Sequence, residues 1–242
     1  MVDLIVANEG KPDMVQISGG EPTLHPQFWE ILDMCKPIKH LMVNTNGVRL
    51  AKDEAFVARL ATYSGAFEVY LQFDSFRENV LLAMRGRDLR EVRKQAIENL
   101  NKCNLATTLV VTLQKGLNDD EMGEIIDYTL KQKCIRGITF QHTQAAGRLD
   151  NFNPETDSFT LTEVRQGIID QSPVFTAADL LPVPCNPDAL AMAYALKPDD
   201  EVIPLTRYVA PADLLQNGGN TIVYEREPRL RRHMLFSTAR PR

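Results

Sequence analysis

Five apolar runs rich in Val, Ile, Leu and Phe recur along the chain, at about 13–18, 39–44, 67–73, 105–112 and 136–141, and each ends in polar residues or glycine. Amphipathic stretches separate them: Phe28 to Cys35, Asp53 to Ala61, Leu89 to Asn101 and Asp119 to Gln132. In the last, Met122, Ile125, Ile126 and Leu130 follow helical spacing, and Asp119, Asp120, Glu121 and Glu124 crowd the first turns, where the helix dipole favours negative charge. Strands alternating with helices of this length make βαβ units, which force parallel strands and right-handed crossovers. The expected fold is an α/β arc of a TIM-like barrel, with ligand chemistry at the C-terminal strand ends.

Only about a dozen residues precede the first strand, and Val2 to Val6 reads as the end of a helix. The expectation is therefore a partial (β/α)6 barrel of parallel strands, truncated at its N-terminus by at least one βα unit. Thr160 and Glu163 form a capping-box pattern that opens a helix running to about Gln171. Beyond Ser172, Pro, Asp and Gly are frequent and Ala189 to Leu196 is the compact apolar segment. This divides the chain into a partial barrel, residues 1–171, and a C-terminal extension, residues 172–242, expected to cover part of the sheet.

The 242 residues, 44% hydrophobic and 24% charged, suffice for one substantial core. A net charge of −5 disfavours a broad nucleic-acid surface, which needs clustered Lys and Arg. The basic cluster from Arg226 to Arg242 reads as solvated surface. No apolar stretch has the length of a transmembrane helix, and the N-terminus lacks a basic n-region, so a cytoplasmic location is the default expectation. Cys35, Cys103, Cys134 and Cys185 form no local CxxC set, and the first three read as small packed thiols. Cys185 stands apart, held in a fixed non-helical place by Pro182, Pro184 and Pro187. That placement leaves both a packed loop residue and a metal or cluster ligand open.

At the first strand end, Ser18-Gly19-Gly20-Glu21-Pro22 removes side chains where the chain leaves the strand, so a ligand can approach the main chain. Glu21, fixed by Pro22, is a partner for an ammonium group; the plain alternative is a tight strand-to-helix connection. Asn44-Thr45-Asn46-Gly47 offers amides as donors and acceptors, although Asn-Gly is also a common turn pair. Gln72, Asp74 and Ser75 lie at the third strand end, and alternation aims Gln72 and Asp74 to one side, as ligand contacts or as caps of the next helix. After Thr112, Gly116 permits a turn, while Asn118 and Glu121 fit a helix cap. The fifth end carries Gln141 and His142. His142 lacks a partner at ligand spacing and suits hydrogen bonding better than zinc. G-x-S-x-G, P-loop, H-E-x-x-H and G-x-G-x-x-G patterns are all absent, which leaves a cup for an amino-acid head group and a nucleoside.

These residues together resemble the radical S-adenosylmethionine superfamily over roughly residues 10 to 145. Ser18, Gly19, Gly20, Glu21 and Pro22 resemble its GGEP motif, whose main chain and Glu hold the methionine amine. Asn44 and Asn46 fall in its NTNG-type segment, and Gln72, Asp74 and Ser75 resemble the strand end near the ribose and carboxylate. Thr112, Asn118 and Gln141 belong to the strand ends near the nucleoside, with Gly116 to Glu121 similar to its G-x-N-D-x-E segment by the adenine. Within the superfamily the chain is similar to Fe-S oxidoreductases of the tetraether-lipid-synthase and methanopterin-methylating type, through SGGEPTLH, YLQFDS, Arg85-Gly86 and Pro182-Val183-Pro184-Cys185.

The resemblance implies S-adenosylmethionine and a [4Fe-4S] cluster as cofactors, with the cluster held by a CxxxCxxC loop upstream of GGEP, before this chain begins. Electron transfer from the reduced cluster would split the S–C5′ bond and yield a 5′-deoxyadenosyl radical. Hydrogen abstraction from an unactivated carbon, then methylation or C–C coupling, is the implied reaction. The implied partners are a reductant protein such as ferredoxin or flavodoxin and a small-molecule or lipid-like substrate. Cys185 is by the same resemblance an auxiliary-cluster ligand, though no further cysteine follows it. Two alternatives stay open: a cluster-free ligand- or partner-binding protein of the same fold, and a TIM-like aldolase or lyase using Glu21 and Asp74 as acid and base.

Overall fold

The computed structural model describes residues 2–10, 12, 14–143, 153–183, 186–197 and 201–217. Helix α1 (Val2–Glu9) leads into β1 (Val15–Ile17), α2 (Phe28–Cys35), β2 (Leu41–Thr45), α3 (Val48–Lys52), α4 (Glu54–Ala61) and β3 (Phe67–Gln72). Next come α5 (Glu78–Arg85), α6 (Arg90–Lys102), β4 (Thr107–Leu113), α7 (Met122–Leu130) and β5 (Ile135–His142). The strands form one parallel sheet in the order β1-β2-β3-β4-β5, each beside its predecessor, as right-handed βα crossovers require. All five strands anticipated from the sequence are present.

Register explains why the two sheet faces differ. Leu41 pairs with Phe67, Val43 with Val69, Thr45 with Leu71, and Val69 and Leu71 pair in turn with Thr107 and Leu109. This face is buried throughout under the helices. Successive residues point to opposite faces. Asn44, Tyr70 and Thr108 therefore line up across the other face, with Met42 beside Glu68 and Gln72 beside Val110. Polar groups on that face satisfy one another: Tyr70 Oη donates to Thr139 Oγ1 at 2.7 Å, Thr108 Oγ1 donates to Glu68, and His40 Nε2 lies 3.0 Å from Glu68 Oε2.

The helices bury one stripe each. Phe28, Leu32 and Cys35 are the inner residues of α2, and Phe56, Val57 and Leu60 those of α4, whose N-terminus is capped by Asp53 accepting from Phe56 N at 2.9 Å. In α6 the stripe is Arg93, Ala96, Ile97 and Leu100, an apolar face with a guanidinium at its first position. Asn99 of the same helix donates to Leu50 O at 2.9 Å and Ala51 O at 3.2 Å, fastening α3 to α6.

The chain divides into two compact units, residues 1–113 with 125–141, which hold the sheet, and residues 114–124 with 142–242. In the second unit, α8 (Pro154–Asp157) precedes α9 (Leu161–Gln171). α9 opens on the anticipated capping box, with Thr160 Oγ1 accepting from Glu163 N at 3.2 Å and Glu163 accepting from Thr160 N at 2.8 Å. A Cβ on Gly123 would lie 2.1 Å from Gln171 O, so glycine lets the start of α7 approach the end of α9. Two short antiparallel ladders, Leu181–Pro182 with Ala191–Met192 and Ala195–Leu196 with Ile203–Pro204, precede α10 (Pro211–Asn217). Leu181, Leu205, Val209 and Leu214 form the small core there.

Candidate functional site

The end of β1 is tied to the end of β2 by the Glu21 carboxylate. Its Oε1 accepts from Thr23 N at 3.2 Å, Thr23 Oγ1 at 2.6 Å and Thr45 Oγ1 at 2.7 Å, and its Oε2 accepts from Asn46 N at 2.8 Å. Oε2 thus carries one bond of the roughly two that a carboxylate oxygen accepts, leaving it capacity for a ligand donor. Pro22 opens a short 3-10 turn, Pro22–Leu24, which holds Thr23 beside Glu21. Gly19 and Gly20 are exposed, and a Cβ built on either meets no protein atom within 4 Å. Ser18 Oγ accepts from Asn44 Nδ2 at 3.5 Å, so the two polar strand ends are neighbours.

Asn46 is bonded on three sides. Its N–H goes to Glu21, its Oδ1 accepts from Val48 N at 3.0 Å, and its carbonyl accepts from Arg93 Nη1. Gly47 follows with φ 79°, and a Cβ there would sit 2.6 Å from Leu71 Cδ1, so this turn requires glycine.

At β3 the chain reverses sharply through Asp74, a non-glycine residue at φ 69°. Asp74 is fully buried and gripped by Arg85 through two 2.8 Å bonds, Nε to Oδ2 and Nη2 to Oδ1; Thr112 N adds a third donor at 3.2 Å. Gln72 reaches the same cluster: its amide oxygen accepts from Arg93 Nη2 at 3.4 Å, or, with the amide turned over, from Arg85 Nη1 and Nη2 at 2.9 Å. Gln72 and Asp74 therefore do share one side. Ser75 is buried, with its Oγ accepting from Arg77 N at 2.9 Å. Thr112 Oγ1 accepts from Arg85 Nη2 at 3.3 Å and from Gln141 Nε2 at 3.4 Å, which carries the chain of contacts to β5.

Arg93 was not among the residues singled out in the sequence, although the periodicity of its helix puts it on the stripe of Ala96, Ile97 and Leu100. It is 2% exposed, and its Nε has no acceptor. Burial lowers its pKa to about 10, with Asp74 and Glu21 opposing and Arg85 and Arg87 adding to the shift, so it stays charged at neutral pH.

Ser18, Glu21, Asn44, Asn46, Gln72, Asp74, Thr112 and Gln141 are thus linked across the strand ends from β1 to β5. Asn118 belongs to the second unit. Since α7 begins at Met122, Asn118 does not take the anticipated cap position; its Oδ1 instead accepts from Gln114 N at 2.8 Å and closes the loop. Cys185 and the arginine tail from Arg226 lie outside the described residues.

The open main chain at Gly19 and Gly20, the spare capacity of Glu21 and the half-buried amides fit a zwitterion joined to a nucleoside. The described residues do not fit an iron-sulfur cluster. None of them forms a group of three His, Cys, Asp or Glu able to hold a metal. Cys35, Cys103 and Cys134 are free, and burial raises the thiol pKa of Cys35 and carries that of Cys134 to about 11.

A parallel sheet walled by helices, with polar strand ends on one rim, defines an α/β barrel-arc protein. The model of the radical SAM superfamily matches residues 1–129, more than half of the chain. The chain belongs to that superfamily. It is 32% identical over 175 residues to 7,8-dihydro-6-hydroxymethylpterin dimethyltransferase of Methanocaldococcus jannaschii, covering 70% of this chain and 34% of that protein. It is 30% identical over 122 residues to a probable GTP 3′,8-cyclase of Thermococcus kodakarensis, covering 50% of this chain and 38% of that one. The chain spans about a third of the length of these relatives. Streptococcus suis SuiB superposes with a TM-score of 0.54 at 17% identity, covering 64% of this chain and 34% of that one; this likeness shows the fold. Among the described residues no helix is long and apolar enough to cross a membrane.

Proposed function

We propose that this chain supplies the S-adenosylmethionine cup of a radical SAM enzyme of the methanopterin-methylating and tetraether-lipid-synthase type. In its complete form such an enzyme takes hydrogen from an unactivated carbon, leading to methylation or C–C coupling, with electrons from a ferredoxin- or flavodoxin-like protein. The observation that carries the reading is the continuous polar rim from Ser18 to Gln141, open at Gly19 and Gly20. The likeness to the M. jannaschii dimethyltransferase supports the subtype.

In this reading the Gly19-Gly20 main chain and Glu21 Oε2 hold the methionine ammonium, and Asn44, Asn46 and Gln72 face the nucleoside. Asp74 orients Arg85, while Ser75, Thr112 and Gln141 complete the strand ends of the sheet-bearing unit. The cluster supplies the electron that cleaves the S–C5′ bond. Its ligands are not among the described residues.

The test is equilibrium dialysis of S-adenosylhomocysteine, the unreactive analogue, against the full 242-residue chain. Specific one-to-one binding is expected, and its absence would remove the cup. Production of 5′-deoxyadenosine, after anaerobic reconstitution of a polypeptide extended through the upstream reading frame, tests the reaction class. The alternative of a cluster-free binding protein expects binding without that product.

A further inference from the structure

Asn46 meets opposite charges through its N–H and its carbonyl, which belong to two successive peptide groups. Its N–H donates to Glu21 Oε2 at 2.8 Å, and its carbonyl accepts from Arg93 Nη1. Arg93 arrives from α6, beneath the rim, and is buried to 98% of its surface. Among the described residues it makes no ion pair, and its Nε has no acceptor. A buried guanidinium without a paired carboxylate is costly, and a stability role alone would be served as well by an apolar residue on the stripe of Ala96, Ile97 and Leu100. Its Nη1 instead holds Asn46 of β2's end, and its Nη2 lies 3.4 Å from the Gln72 amide of β3's end.

We infer that Arg93 is a positioning residue for the ligand cup, acting through the turn of Thr45, Asn46 and Gly47 on Glu21. The inference rests on the reading of this rim as an S-adenosylmethionine site. The guanidinium polarises the Asn46–Gly47 peptide, whose N–H, that of Gly47, donates to Thr45 Oγ1 at 3.2 Å, and Thr45 Oγ1 donates in turn to Glu21 Oε1 at 2.7 Å. The Glu21 carboxylate is then held in one place, with Oε2 keeping capacity for one ligand donor. Loss of Arg93 frees the Asn46 turn and lets Glu21 wander, although Arg93 itself touches no ligand.

The experiment is a double-mutant cycle on S-adenosylhomocysteine affinity with the full chain, using Arg93→Met, Glu21→Gln and the double variant, with Arg93→Lys as the conservative control. Cooperative urea unfolding of each variant checks that it folds. Arg93→Met is expected to weaken binding by roughly 10- to 100-fold, the range seen when an outer supporting partner is removed. In the Glu21→Gln background the same change is expected to cost far less, because Arg93 acts on the ligand through Glu21. Arg93→Lys keeps the charge and one donor and should recover part of the affinity. Equal losses in both backgrounds, or wild-type affinity in Arg93→Met, would overturn the inference while leaving the cup intact. No binding by the wild-type chain would instead overturn the cup. Amide exchange of the ligand-free protein then decides whether Arg93 holds the turn: faster exchange at residues 46–47 in Arg93→Met supports the link, and unchanged exchange removes it.

Discussion

Gly20 and Gly47 stand at neighbouring strand ends and are small for different reasons. A Cβ on Gly20 would meet nothing, so Gly20→Ala should change stability by no more than about 0.5 kcal/mol in urea unfolding. It should nevertheless weaken S-adenosylhomocysteine measurably in dialysis, because the methyl group enters the space that the bound head group needs. Gly47 combines φ 79° with a Cβ position 2.6 Å from Leu71 Cδ1. Gly47→Ala pays both left-handed strain and overpacking, and should lose about 2 kcal/mol or more before any ligand is added. The cysteines divide on similar grounds. Cys134 is fully buried with its thiol pKa pushed up to about 11, and Cys35 is buried and raised as well, whereas Cys103 is partly exposed. Peptide mapping after brief iodoacetamide treatment of the folded protein at neutral pH should find Cys103 modified well ahead of Cys35 and Cys134.

At the scale of elements, the Asp74–Arg85 pair joins the end of β3 to the last residue of α5. Asp74 has no exposed surface, so Arg85→Met leaves a buried carboxylate without its cation and should cost about 3–5 kcal/mol in urea unfolding. Asp74→Asn combined with Arg85→Met should recover part of that loss, since the stranded charge is gone. The N-terminus of α9 gives a pH effect of known sign. Bonds from Lys115 and from Thr160 hold the exposed Glu163 carboxyl at about 2, below its ordinary 4.5. A depressed carboxyl contributes its stability in full above the unfolded value and loses it as pH falls from about 4.5 toward 2. Glu163→Gln should flatten this part of the acid limb of the unfolding curve. Elements of this kind were legible because their signals are local: Asp53 and Thr160 stand where caps belong, and strand runs end at polar residues. α3 was not, because five residues from Val48 to Lys52 are too few to show a period. α5 shows its apolar residues as one unbroken run, Val80 to Met84, which carries no helical period.

For the whole molecule, parallel order and the polar rim follow from strand–helix alternation, so sheet and candidate site were readable together. What joins the site was not readable, because the bonds from Asn46 to Arg93 and from Asp74 to Thr112 link residues far apart in sequence, and only register brings them within reach. The same linkage makes a molecule-wide prediction. A ligand that binds only the folded form stabilises it by RT ln(1 + [L]/Kd), about 2.7 kcal/mol at a hundredfold excess over Kd. S-adenosylhomocysteine should therefore raise the urea midpoint of the sheet-bearing unit in proportion to the logarithm of its concentration. Because Glu21 bonds directly to the end of β2 and Arg93 lies between the ends of β2 and β3, amide protection should spread over residues 18–21, 44–47 and 72–75 rather than staying at Gly19 and Gly20. Protection confined to the first strand end, mapped by exchange and mass spectrometry, would mean that the rim is a row of separate turns. Protection across all three would mean that β1, β2 and β3 present one surface to the ligand, with Arg85 and Arg93 as the two cations that keep it in register.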